Sequence, residues 1–203
     1  MIAVLDYGAG NLQSVRKALY FLGCEAAVTD DPARLKEASA AILPGVGAFG
    51  DAMACLRRSR LVQPVLDFIH SGKPFLGVCL GLQLLFESSE EAPGVAGLGV
   101  LPGRIRRIPG APGLKIPHIG WNDLNFPAPS GLFRGLEEHP YVYFVHSYYL
   151  QAADRRDVTS TTQYGVTIDS SVQRGNLFAT QFHPEKSGRT GLRILRNFAE
   201  MIR

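Results

Sequence analysis

The sequence predicts an α/β fold: a mostly parallel, doubly wound sheet with flanking helices and additional antiparallel strands in the C-terminal half. Three observations carry this. Through the first half, short β-rich apolar runs alternate with segments of helical period, the pattern of parallel strands joined by crossover helices. The second half changes to strand-like runs separated by Gly- and Pro-rich turns, the pattern of antiparallel or mixed strands. The 203 residues are 46% hydrophobic and 19% charged, which suits one globular domain over 1–203 with a sizeable core and leaves no room for a large second one.

Each element has its own signature. Ile2–Leu5 reads as the first strand. Leu12, Val15, Leu19 and Leu22 recur at steps of three and four before the helix stop Gly23, so residues from about 11 to 22 form an amphipathic helix. Glu25–Thr29 is the next strand. Asp31 caps a short helix with Pro32 at its first position, and Ala40–Leu43 is a third strand that ends in Pro44-Gly-Val-Gly47. Helical stretches follow around 50–57 and 61–70. Phe75–Val78 is the fourth strand, and helical character resumes over Leu80–Phe86, so the junction falls on Cys79. Later strands are predicted over Val100–Ile108, Tyr141–Leu150, Val158–Tyr164 and Asn176–Phe182. A last helix, with Leu192, Leu195, Phe198 and Ile202 at apolar spacing, packs on the sheet.

Composition excludes several classes. Lysine and arginine exceed aspartate and glutamate by 21 − 18 = 3, without a basic run, so no nucleic-acid partner is indicated. No apolar stretch approaches a membrane span, and Asp6 stops the opening run at once, so neither membrane nor secretory leader is expected. The three cysteines, Cys24, Cys55 and Cys79, lack C-x-x-C spacing. That argues against a disulfide framework or a zinc site and for a reducing, cytoplasmic setting, with no metal expected.

Gly77-Val-Cys79-Leu-Gly81 has the layout of a nucleophile elbow, in which a strained strand-to-helix turn lifts one side chain out of the sheet. The helix N-terminus favours a thiolate and offers N–H groups to an oxyanion. His183-Pro-Glu185 follows a strand directly, and proline holds the turn so that imidazole and carboxylate project together. Cys79, His183 and Glu185 thereby supply a nucleophile, its base and the acid that orients the base. Chain order separates this set from α/β-hydrolases, whose acid precedes the histidine. Pro44-Gly-Val-Gly47 is a candidate second oxyanion donor. Its formal G-x-G-x-x-G match to Gly50 follows the third strand and lacks the acidic residue about 20 positions later. Gly8-Ala-Gly10 with Asp30 has Gln13 in place of the third glycine, so no dinucleotide cofactor is expected.

The segments Asp6-Tyr-Gly-Ala-Gly-Asn-Leu12, Pro44-Gly-Val-Gly47, Gly77-Val-Cys-Leu-Gly-Leu-Gln83, Pro117-His-Ile-Gly-Trp-Asn122, Tyr143-Phe-Val-His-Ser-Tyr148 and Gln181-Phe-His-Pro-Glu-Lys-Ser187 resemble the motifs of the class I (triad) glutamine amidotransferases. Within that family, the first and fourth segments resemble most closely the glutaminase subunits that serve imidazole glycerol phosphate synthesis. The resemblance covers essentially the whole chain. It implies hydrolysis of the L-glutamine side-chain amide, with the oxyanion held at Leu80 and at Val46 and Gly47. Gln83, Glu91, Ser147 and Tyr148 are the implied substrate-cradling positions. Also implied are a heterodimer with a TIM-barrel cyclase subunit that receives ammonia through a channel, contacts to it near Asn11, Trp121, Tyr143 and Lys186, and no cofactor.

Overall fold

The computed structural model describes residues 1–202, and its first half follows the predicted alternation closely. β1 (Ile2–Leu5), α1 (Leu12–Phe21), β2 (Ala26–Thr29), α2 (Pro32–Glu37), β3 (Ala40–Gly45), α3 (Phe49–Arg58), α4 (Val62–His70), β4 (Phe75–Cys79) and α5 (Leu80–Leu84) succeed one another. Asp31 caps α2 as its sequence position requires, its carboxylate accepting from the Ala33 N–H at 2.8 Å. α5 is shorter than predicted. Leu85 and Phe86 bond three residues back, to Leu82 and Gln83, which tightens the last turn and ends the helix.

The second half holds β5 (Ser88–Ser89), β6 (Gly103–Arg107), β7 (His118–Asp123), β8 (Tyr141–His146), β9 (Tyr148–Ala152), β10 (Val158–Tyr164), β11 (Val166–Arg174), β12 (Leu177–Thr180) and α6 (Gly188–Ala199). The main sheet runs β2-β1-β3-β4-β12-β11-β9-β6-β5, with β10 also on β11. Its first five strands are parallel. The remainder is antiparallel apart from the short β5–β6 pair. β7 and β8 form a separate antiparallel pair. The predicted strand Tyr141–Leu150 is thus two strands in two sheets, divided at Ser147.

Buried strands explain the unbroken apolar runs, since a parallel sheet covered on both faces has no polar side. Leu5 and Leu43 pack with Phe49, Leu56 and Val65 under α3 and α4. Their strand neighbours Val4 and Ile42 point the other way, to Leu19, Phe178 and Phe198 under α1 and α6. β12 is the element that matters most for chemistry. It pairs in parallel with β4, Thr180 beside Val78, so the residues after both strands emerge at one edge of the sheet, where ligands bind in open α/β folds. Among the described residues, no helix is long and apolar enough to cross a membrane.

Candidate active site

The elbow is sterically explicit. Cys79 has φ 56° and ψ −107°, a left-handed conformation that a side-chain-bearing residue adopts only at a cost and mostly at functional positions. A Cβ on Gly77 would lie 2.8 Å from the Gly81 carbonyl oxygen, and one on Gly81 only 1.8 Å from the Leu43 carbonyl oxygen. The two glycines are therefore what lets α5 fold back tightly against β3 and β4.

His183 and Glu185 leave β12 in a short 3-10 turn over Pro184–Lys186. His183 Nδ1 donates to Glu185 Oε1 at 2.8 Å, with both side chains buried. This bond fixes the ring, so Nε2 is the nitrogen left to serve Cys79, and it has no hydrogen-bond partner among the described residues. Burial alone would depress the imidazole, but the Cys79 sulfur and the Glu185 carboxylate overcome it and hold His183 up at about 10. At neutral pH the arrangement thus favours an imidazolium beside the Cys79 sulfur.

One cavity of about 410 Å³ gathers the predicted residues: Val46, Gly47, Cys79, Leu80, Gln83, Glu91, Ser147, Tyr148, His183 and Lys186 all line it. Its size suits a small ligand. A larger cavity of about 1260 Å³ beside α1 and β2, walled by Arg16, Lys17, Tyr20 and Phe21, holds none of them and no nucleophile–base pair.

Local bonding refines what each wall can offer. Gln83 Nε2 donates to the Tyr148 carbonyl at 3.1 Å and to Gln181 Oε1 at 3.0 Å, which uses both its N–H groups and leaves Oε1 to accept from a ligand. Glu91 Oε2 accepts from the Phe49 N–H at 2.8 Å; this carboxylate tethers the start of α3, and its other oxygen remains for the cavity. Val46 is 43% exposed, and Gly47 has φ 98° with no atom near enough to restrain it.

The residues expected at a partner surface fall into two places. Trp121 and Tyr143 are directly opposed in the β7–β8 pair, their rings edge to face at 6.1 Å, and Trp121 is 55% exposed. Lys186 Nζ lies 6.0 Å from the Tyr143 ring centre. Asn11 stands apart in sequence at the head of α1, which packs against the Pro184–Lys186 turn.

Three residues around the site stand in segments already singled out but received no role from sequence reasoning. Gln181, wholly buried, presents Nε2 to Cys79 Sγ at 3.7 Å. His118 and His146 form a buried pair with Nδ1 and Nε2 at 3.1 Å. Burial pushes them down to about 4 and about 3, so both are neutral at pH 7. His146 Nδ1 must donate to the Tyr148 carbonyl at 2.9 Å, hence its Nε2 accepts from His118. The available signal was a polar side chain inside an otherwise apolar run, because a buried polar group needs a partner.

A family model described as glutamine amidotransferase class-I matches residues 3–202. The chain is 54% identical over 202 residues to the imidazole glycerol phosphate synthase subunit HisH of Moorella thermoacetica, covering all of this chain and 95% of that protein. It is 52% identical over 203 residues to the subunit of the same name from Methanothermobacter thermautotrophicus, covering all of both chains. In fold it is similar to PurLQS from Thermotoga maritima, with a TM-score of 0.77 at 22% identity, covering 100% of this chain and 98% of that one. A crystal structure of a glutamine amidotransferase gives a TM-score of 0.76 at 24% identity, covering 99% and 98%. With a strained cysteine elbow, a carboxylate-bound histidine at the same sheet edge and a matching sequence from end to end, this chain belongs to the class-I glutamine amidotransferase family.

Proposed function

We propose that this chain is the glutaminase subunit of imidazole glycerol phosphate synthase, hydrolysing L-glutamine to glutamate and ammonia. The observation that carries the chemistry is that Cys79, in its left-handed elbow, shares one cavity with His183, whose ring is bound from behind by Glu185. Whole-length identity of about half to proteins of that name supports the biosynthetic assignment.

The Cys79 thiolate attacks the amide carbon, and the oxyanion takes hydrogen bonds from the N–H of Leu80 and from the Val46–Gly47 segment. The His183 imidazolium gives its proton to the departing ammonia. It then takes one from water, whose attack releases glutamate from the thioester while Glu185 holds the ring. Gln83 Oε1, the free Glu91 oxygen, Ser147 and Tyr148 hold the amino-acid end of the substrate. Ammonia passes by a channel to a TIM-barrel cyclase subunit, a lyase that uses it to make imidazole glycerol phosphate and aminoimidazole carboxamide ribonucleotide for histidine biosynthesis. The two subunits form a heterodimer in the cytoplasm, with Asn11, Trp121, Tyr143 and Lys186 at the joint.

Glutamate release from glutamine, measured with and without the cyclase subunit and its nucleotide substrate, tests this reading. Release that is slow alone and rises strongly in the loaded complex is expected. Equal release in both conditions would remove the partner from the assignment, and no release in either would remove the activity.

A further inference from the structure

The helix that follows Cys79 offers little dipole support to a thiolate there. α5 spans only five residues, so the summed peptide dipoles behind Cys79 are few. A fixed hydrogen-bond donor at the sulfur would serve the same end, and the polar residues around the cavity determine where one stands.

The orientation of each amide follows from a single acceptor. The Tyr148 carbonyl can only accept, so the end of Gln83 that meets it at 3.1 Å is Nε2. The second hydrogen of that nitrogen then points to Gln181, 3.0 Å away, which must present Oε1. With Oε1 committed, Nε2 of Gln181 is the atom turned to Cys79 Sγ, at 3.7 Å, within hydrogen-bonding reach for a large, polarisable sulfur. The Tyr148 carbonyl also accepts from the neutral His146, at 2.9 Å. The Gln181 backbone is held as well, its N–H donating to the Ser170 carbonyl of β11 at 2.8 Å. Gln181 is fully buried, so its donor has no water to turn to.

We infer that Gln181 holds the Cys79 thiolate by a directed amide hydrogen bond, acting beside His183 and in a chain that runs Gln181–Gln83–Tyr148–His146. This rests on Cys79 being the nucleophile. A hydrogen bond that favours the charged form lowers the pKa of the group that accepts it, so Gln181 sets the fraction of Cys79 ready to attack. The reaction coordinate of thiolate attack is left to His183 and the oxyanion donors.

The test is the pH dependence of iodoacetamide alkylation in the full chain, followed at the Cys79 peptide by mass spectrometry, because Cys24 and Cys55 are also free thiols. Gln181→Met keeps the volume and removes the donor. The midpoint of the Cys79 profile should rise by about one unit, making alkylation at pH 7 about tenfold slower, while the plateau at high pH stays within about twofold. A midpoint that does not move overturns the inference. If Cys79 of the parent protein reacts no faster than Cys24 and Cys55, the nucleophile reading itself fails, which is a separate result. Should Gln181→Met not fold, the side-chain amide resonances of Gln181 in the unaltered protein answer the same question. They should shift with the thiol titration and lose that dependence in Cys79→Ala; resonances that ignore the titration overturn the inference.

Discussion

Tyr143 and His183 are bound backbone to backbone. The His183 N–H donates to the Tyr143 carbonyl at 3.0 Å, and the Tyr143 N–H donates to Ser187 Oγ at 2.9 Å, which in turn donates to the His183 carbonyl at 2.6 Å. His183, the proposed base, is therefore hung from the same strand that presents Tyr143 beside the exposed Trp121. With this strand as the docking surface, Trp121→Ala and Tyr143→Ala should each weaken binding of the cyclase subunit by about 2 kcal/mol. Calorimetric titration checks this, and unchanged affinity in both variants would count against the surface.

Removing the proposed nucleophile should separate the two halves of the assembled reaction. Cys79→Ala should abolish glutamine-dependent synthesis in the complex while synthesis from added ammonium salts continues, because the proposed function assigns cyclisation to the other chain. Glutamine hydrolysis near the parent rate in this variant would show the assignment of Cys79 to be wrong.

The pH response follows from His183. Its folded value, about 10 against an ordinary 6.5, means that the folded chain keeps a proton that the unfolded chain has released. The stabilisation from this group is complete below about 6.5 and fades as pH rises through about 10. Nuclear magnetic resonance of the imidazole should find the alkaline midpoint there. Cys79→Ala and Glu185→Gln should each move it toward the ordinary value, and a midpoint indifferent to both would contradict the origin of the shift.

Gly81 tolerates no side chain. The atom it would gain falls on the Leu43 carbonyl oxygen, which belongs to a central strand and cannot rotate aside. Gly81→Ala should cost about 3 kcal/mol or more, read by chemical denaturation. A cost below 1 kcal/mol would mean that α5 can move off β3.

Gly47 is the contrary case, with room for a methyl group but φ at 98°. Glycine on either side of Val46 lets the intervening peptide units turn a carbonyl or an N–H toward the oxyanion. Gly47→Ala should restrict that rotation and lower the partner-stimulated rate by up to about 100- to 1000-fold, the worth of one oxyanion donor, while the basal rate changes far less. Equal losses in both rates would indicate simple damage to the turn.

Where apolar spacing recorded the burial, the sequence was readable. The predicted strands and helices of the first half lie within a few residues of the observed ones, and the elbow and the H-P-E turn announce themselves by steric need and spacing. β7 and β11 stayed hidden for a physical reason. β11 buries Asp169, Ser170 and Ser171, and the two serine hydroxyls bond Thr159 and Ser160 of β10, so its interior face looks polar. β7 interrupts its pattern with Gly120 at φ 135°. That β12 lies parallel to β4 is a pairing between residues about a hundred positions apart, for which local periodicity holds no information. Gln181 follows from the same blindness, since its value lies in the sulfur it meets across the sheet edge.

The loop after β3 is pinned close to both ends. Gly45 is in register with Cys79, the Tyr7 hydroxyl donates to the Pro44 carbonyl at 3.0 Å, and the Phe49 N–H is held by Glu91. Only Val46, Gly47 and Ala48 lie between these anchors. A rearrangement confined to so short a span buries almost no apolar surface, so activation should carry a heat-capacity change near zero. Amide exchange in β3 and α3 should proceed at the same pace before and after it. Glutamine turnover would then be governed by an event that calorimetry barely registers, with its cost set by the torsional preferences of the few peptide units that turn.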